Sequence, residues 1–244
     1  MNLDLNADVA EGADDEPLYG LVSSVNIACG AHAGDDDSMA RAIALALARG
    51  VAIGAHPGYP DRSHMGRRPL EIPPSEVRRS VREQIARLRH IALRKATAIS
   101  HVKPHGALYN QAATDPWLAA AVADAVRSAQ PRLRLVGLAG SWQTAAGRSA
   151  KLTVTDEGFA DRRYQKDGTL ALRDRADALI TDPPAAAAQA LAIARGMPVE
   201  SVDGHPITIH ASTICLHSDT PGALENARAV RAALEGAGFT ISQL

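Results

Sequence analysis

The chain has 244 residues, 46% of them hydrophobic, enough to fill the core of one α/β domain spanning 1–244. Its 26 Lys and Arg nearly balance its 27 Asp and Glu, and a formal net charge of -1 offers no overall field to nucleic acid or an anionic membrane surface. The first six residues lack the basic segment and apolar run of a secretory signal, and Asp124, Arg127, Gln189 and Arg195 break the alanine-rich stretches before they reach bilayer-spanning length. Cys29 and Cys215 stand outside any CxxC spacing, which suits free thiols in a reducing compartment. A soluble, cytoplasmic protein is expected, with neither nucleic acid nor membrane as a partner.

Short apolar runs alternate with amphipathic helices, the pattern of βαβ units and a parallel sheet. Strands are predicted at 3–8, 24–29, 51–55, 99–103, 133–138, 152–155, 178–180 and, with a break, 208–216. Asp36-Asp37-Ser38 caps a helix running to Ala48 with Met39, Ile43 and Leu47 inward, and Ser75 opens a second around Val77, Val81, Ile85 and Leu88. Asp115-Pro116 starts a third with Leu118, Val122 and Val126 on one side; Thr220-Pro221 starts a fourth with Leu224, Ala227, Val230 and Leu234. Such units close into a barrel or form an open doubly wound sheet, and periodicity does not choose between them. No linker, low-complexity tract or internal repeat marks a second domain.

Chemistry gathers at the predicted strand ends. In the first strand Asp4, Asn6 and Asp8 alternate with Leu3, Leu5, Ala7 and Val9, whereas a covered parallel strand should be apolar on both faces. Three buried polar groups are costly unless they pair, bind a ligand or hold a metal. A closed hydrogen-bonded network is the plain alternative to a binding site. The segment 26–35 places His32 and Asp35 in a loop before a helix, and the third strand stops at His56. His101, Lys103 and His105 share one face of the fourth strand, and a lysine between two histidines makes a poor core stripe. Glu157, Asp161 and Arg162 follow a later strand, while Cys215, His217 and Asp219 alternate with Ile214, Leu216 and Ser218. A single histidine is more often structural, but several at the carboxyl ends of parallel strands point to a functional cluster.

At these segments the chain resembles the LamB/YcsF family. Asp4-Leu5-Asn6-Ala7-Asp8-Val9-Ala10-Glu11 is similar to the family's DLNxDxxE opening, 26–35 to its NxACGxHAGD, and 54–57 to its GAHP. Gly66-Arg67-Arg68, the run HVKPHGALYN at 101–110, Phe159-Ala160-Asp161-Arg162, Tyr164 with Gly168, and 215–219 follow in the family's order. Family members usually carry Cys at the place of Ala7, Gly at Ala10, Gly-Phe at His64-Met65, and His-Gly-Asp-Asn-Pro at 217–221. The first departure removes any mechanism needing a thiol at position 7; the others bear on substrate fit.

The resemblance implies a distorted or incomplete TIM-like β/α barrel of the glycoside hydrolase/deacetylase type. It also implies the role of the A subunit in ATP-dependent 5-oxoprolinase, working beside B and C subunits to open the lactam of 5-oxo-L-proline to L-glutamate, with ADP and phosphate as the other products. Within that reading Asp8 and Glu11 orient or deprotonate water, and His32, His56 or His105 passes a proton to the departing ring nitrogen. Lys103, Arg67 and Arg68 suit the substrate carboxylate or a transferred phosphoryl group. Asn6, Asn26, Tyr109, Asn110, Glu157, Asp161, Arg162, His217 and Asp219 complete the candidate substrate contacts. ATP enters as co-substrate, and the lack of a GxxxxGK[ST] loop assigns its handling mainly to the partners. Paired arginines in a loop are otherwise a solvated surface.

A divalent metal on Asp8, His32 and His56 is the rival detail, since one carboxylate and two imidazoles from successive strand ends make an open site. Two other function classes stay open: a metal-dependent amidohydrolase or carbohydrate deacetylase acting alone without ATP, and a non-catalytic scaffold subunit that tolerates loss of Asp8, Lys103 or His105.

Overall fold

Residues 1–243 are described in the computed structural model. The chain runs β1 (Asn2–Val9), β2 (Ser24–Ala28), α1 (Asp36–Arg49), β3 (Ala52–His56), α2 (Pro74–Arg94), β4 (His101–Val102), α3 (Gly106–Thr114) and α4 (Pro116–Ala129). It continues through β5 (Arg134–Leu138), α5 (Trp142–Ser149), β6 (Val154–Phe159), α6 (Pro183–Ala194), β7 (Pro198–Glu200), β8 (Pro206–Thr208), β9 (Thr213–His217), α7 (Ala223–Gly236) and β10 (Thr240–Ile241). Strand β1 pairs in parallel with β2 on one side and β9 on the other, and β9 pairs with β6. The order β1-β2-β3-β4-β5-β6-β9 therefore closes on itself as a seven-stranded parallel barrel, which settles barrel against open sheet. Short β10 adds outside the ring to the start of β1, with Asn2 opposite Thr240.

Local signals explain the helices. Asp35, rather than the acidic pair after it, caps α1: its carboxylate accepts from the Ser38 N–H while the Ser38 hydroxyl accepts from the Asp35 N–H, and Gly50 ends the helix in the left-handed region. Asp115 caps α4 and Pro116 occupies its first turn. The apolar stripes of α2 and α4 are buried as predicted. With Leu5, Ala7 and Val9 of β1 they build the core between barrel and helices. The opposite face of β1 turns Asp4, Asn6 and Asp8 into the barrel, where all three are buried. Where β3 pairs with β4, a Cβ on Gly54 would lie 2.1 Å from Nε2 of the opposite His101, so only glycine leaves room there for the imidazole.

Several boundaries differ from the sequence-based expectation. The segment 178–180 is no strand; Leu179 makes one isolated antiparallel bridge with Arg162, because this stretch belongs to the long excursion between β6 and β9. The predicted strand at 152–155 runs instead from Val154 to Phe159, which puts Glu157 inside the barrel wall. The broken strand at 208–216 resolves into β8, paired antiparallel with β7, and the barrel strand β9. Leu47 is exposed, one position off the buried stripe of α1. Helices α3 and α6 carry no strong amphipathic stripe and α5 spans only 8 residues, and none of the three was foreseen. No helix among the described residues is long and apolar enough to cross a membrane.

Candidate active site

The barrel interior holds a polar network in place of a hydrophobic core. Asp4 accepts hydrogen bonds from the hydroxyls of Ser23 (2.7 Å), Ser24 and Thr213, and burial raises its pKa despite them. Asn6 donates to Glu157 Oε1 (3.0 Å) and Thr213 Oγ1 (2.7 Å). Asn26 donates to Asn6 Oδ1 and Asp8 Oδ1, both at 2.8 Å, and pairs through its own Oδ1 with His101 Nε2 at 2.9 Å. Burial pushes His101 down to about 3, with Lys103 adding to the effect, so its ring is neutral at ordinary pH.

Lys103 rises through this layer, and its ammonium has three partners at 2.9 Å: Asp8 Oδ1, Glu157 Oε1 and the Cys215 sulfur. Burial favours the neutral amine, but Asp8, Cys215 and Glu157 prevail and hold its pKa well above the usual lysine value. All three N–H donors of the ammonium are thereby engaged. Tyr109 donates to the other Glu157 oxygen at 2.7 Å.

At the carboxyl end a second cluster surrounds Glu11. Ala10 takes φ +63°, which turns the chain sharply after β1 and brings Glu11 back over the barrel mouth. Glu11 Oε1 lies 2.8 Å from His105 Nδ1, 3.0 Å from His32 Nε2 and 3.6 Å from His56 Nε2. His56 also approaches Asp8 Oδ2 at 3.3 Å. Burial opposes ionisation of Asp8 and Glu11, yet the surrounding cationic and hydrogen-bonding groups hold both carboxylates well below their usual range. Burial also works against charging His56, and Asp8 reverses the balance and raises it. His32 is driven by burial down to about 4 and stacks flat on His105, ring centroids 3.8 Å apart.

Above these groups opens a cavity of about 600 Å³ lined by Asp8, His56, Lys103, His105, Tyr109, Phe159, Arg162 and His217, with Arg67 and Arg173 on its wall. Asp161 fixes His217 by accepting from its main-chain N–H (2.9 Å) and from Nδ1 (3.0 Å), and it also accepts from the Thr220 hydroxyl at 3.0 Å. The remaining nitrogen, His217 Nε2, faces Asp8 Oδ2 at 3.9 Å. Arg162 is buried, donates through one terminal nitrogen to the Ala171 carbonyl, and leaves Nε with no partner. Burial, with Arg173 nearby, lowers its pKa to about 10, so it stays charged. Asp219 bridges Arg67 and Arg173 at the rim.

The LamB/YcsF family model matches residues 3–244. The chain belongs to the LamB/YcsF family. It is 48% identical over 99% of its length to the protein of Heliobacterium modesticaldum named as the A subunit of 5-oxoprolinase, covering 97% of that relative. It is also similar to the crystal structure of the lactam utilization protein from Thermus thermophilus, with a TM-score of 0.93, 42% identity and complete coverage of both chains. The peptidoglycan deacetylase PdaC of Bacillus subtilis shares the fold alone, with a TM-score of 0.51 and 10% identity over 100% of this chain and 87% of that one.

The LamB/YcsF segments converge, but their residues divide by depth. Asp8, His56, Lys103, His105, Tyr109, Arg67, Arg162 and His217 line the cavity, and Asn110 stands exposed on its wall. Asn6, Asn26 and Glu157, expected as substrate contacts, belong to the sealed network beneath, as does His101. His32 is sealed behind Glu11, and Asp161 and Asp219 act through His217 and the arginines. Arg68 is exposed and lies outside the cavity lining. The metal set Asp8, His32, His56 is not the grouping observed; donor atoms gather instead as Glu11, His56, His105 and as Asp8, Cys215, His217.

The departures from the usual family residues leave the cavity intact. Ala7 is buried in the core between barrel and helices. Met65 contributes its carbonyl to His105 Nε2, Ser218 donates to the Asp8 carbonyl, and Thr220 donates to Asp161. Arg173 was missed because its excursion has no period to read.

Proposed function

We propose that the chain is the A subunit of an ATP-dependent 5-oxoprolinase, opening the lactam of 5-oxo-L-proline to L-glutamate beside B and C subunits while ATP becomes ADP and phosphate. The observation that carries this reading is the 48% identity over 99% of the chain to a relative of that name. The site's chemistry supports it. An unstrained amide resists water, and phosphorylation of its carbonyl oxygen gives an electrophilic carbon and a leaving group. Because Asp161 accepts a hydrogen bond from Nδ1–H of His217, the Nε2 lone pair is free to accept a proton from attacking water and return it to the departing ring nitrogen, and a second water then cleaves the resulting acyl phosphate to glutamate and phosphate. Asp8, too acidic to be a strong base, orients that water. Arg162, which lines the cavity, receives the substrate carboxylate, with Arg67 and Arg173 adding positive charge. Lys103, its donors all engaged, is a positioning residue that keeps Asp8 ionised.

Nucleotide handling falls to the partner subunits, in keeping with the missing phosphate loop. The test is glutamate release from 5-oxo-L-proline by the purified chain, with and without ATP and the B and C subunits. Release only in the complete mixture is the expected result, and none in that mixture overturns the reading. Release without ATP would favour a second reading, a stand-alone amidohydrolase, which the carboxylate and imidazole cluster around Glu11 supports.

A further inference from the structure

The three imidazoles around Glu11 are wired differently from one another, and the wiring fixes their protons. His56 Nδ1 lies 2.8 Å from the Lys103 carbonyl, and His105 Nε2 lies 2.7 Å from the Met65 carbonyl. A carbonyl only accepts, so each ring carries its proton on the nitrogen turned away from the site. With each ring singly protonated, the two nitrogens that remain, His56 Nε2 and His105 Nδ1, are lone pairs, and they face each other at 3.0 Å. Glu11 Oε1, a third acceptor, closes the triangle at 2.8 Å from His105 and 3.6 Å from His56. Three lone pairs converging in a buried pocket repel one another unless a cation sits among them.

We propose that Glu11, His56 and His105 hold one divalent first-row metal ion at the barrel mouth. Donor atoms about 2.1 Å from a tetrahedral ion stand roughly 3.4 Å apart, and the observed edges bracket that spacing. Two imidazoles and a carboxylate are a donor set that suits such an ion and leaves a fourth position for a water or substrate atom, and both His56 and His105 line the cavity. The surroundings match what ligands require. Both histidines are braced by main-chain carbonyls, and neutral His32 donates from Nε2 to Glu11 Oε1, turning the carboxylate without entering the set. Gly58 and Gly66 make room: a Cβ at either would come within 2.7 Å of His32. The pairing agrees, since Lys103 meets Asp8 and Glu157 directly, whereas the ion-pair partners of Glu11 are imidazoles.

The second donor group, Asp8, Cys215 and His217, is unsuited, because the Lys103 ammonium already sits 2.9 Å from both Asp8 and Cys215. A metal at Glu11, His56 and His105 would supply Lewis acidity toward a carbonyl or phosphoryl oxygen. The inference concerns the same site as the oxoprolinase reading, and its test needs neither nucleotide nor lactam, so either can fail alone.

The full-length chain, free of any affinity tag, is stripped with a chelator and titrated with Co2+ and Zn2+, following the visible cobalt spectrum, heat of binding and melting temperature. One ion per chain, tetrahedral cobalt bands and a metal-dependent rise in melting temperature are expected. Glu11→Gln and His105→Ala, checked for folding by circular dichroism, should each weaken binding at least about 100-fold, beyond the loss typical of residues that only brace a ligand. His64→Ala, a change on the exposed surface, should bind as the wild type does. No saturable binding overturns the proposal, as does binding that survives both Glu11→Gln and His105→Ala, which would mark adventitious surface sites. If a proton is the cation instead, the stripped protein keeps its melting temperature on metal addition, and the proposal falls.

Discussion

Asp161 shows how one buried carboxylate can govern a reactive group it does not share with substrate. It accepts from the His217 main chain, the His217 ring and the Thr220 hydroxyl. Burial alone would raise its pKa, but His217 and these hydrogen bonds lower it below the unfolded value. A depressed folded pKa means stabilisation present above the unfolded pKa of about 3.9 and lost as pH falls through the folded one. Asp161→Asn should therefore cost about 2 kcal/mol in urea unfolding at neutral pH, with the difference from wild type shrinking below about pH 4. Ala10 stores strain of a different kind. An L-residue in the left-handed region costs about 1–2 kcal/mol, so Ala10→Gly, offset by glycine's greater unfolded-state freedom, should gain roughly 0.5 kcal/mol in the same measurement. Among single residues, the alternation of Asp4, Asn6 and Asp8 and of His101, Lys103 and His105 was legible because strand period two survives in sequence. Which of them faces a cavity was not, since depth along a barrel axis depends on register with neighbouring strands.

Elements were legible where a cap and an apolar stripe coincided. Helices α2 and α4 carry both, and their buried faces follow the expected residues. Strand β4 spans two residues because α3 starts immediately after His105, and nothing local marks so short a pairing. Helix α6 is rich in alanine on all sides, which leaves no face to detect. In α1 the acidic run concealed the true cap. Asp35 sits in a motif that reads as catalytic, yet its side chain closes a capping box with Ser38. Asp35→Ala should thus lower stability by about 1 kcal/mol while leaving the geometry around Glu11 unchanged, as judged by thermal unfolding and by turnover of the complete complex.

For the molecule as a whole, closure is the feature that makes the site. Joining β9 to β1 brings His217 level with Asp8 although 209 positions separate them in sequence, and it seals the polar network beneath a single mouth. The resemblance to a family carried the barrel expectation further than periodicity did, because closure is set by long-range pairing that no local pattern records. Closure also separates two layers of charge: a fully bonded floor around Lys103, which orders the structure, and a mouth around Glu11, His217 and Arg162, where bonding capacity remains open. The central claim is that the mouth is where the lactam is opened, with His217 moving the proton. The direct measurement is glutamate release from 5-oxo-L-proline by the complex of A, B and C subunits with ATP, comparing wild type with a folded His217→Asn variant. The account predicts a fall in turnover number of about 10²-fold or more. Turnover at the wild-type rate in the variant would contradict it.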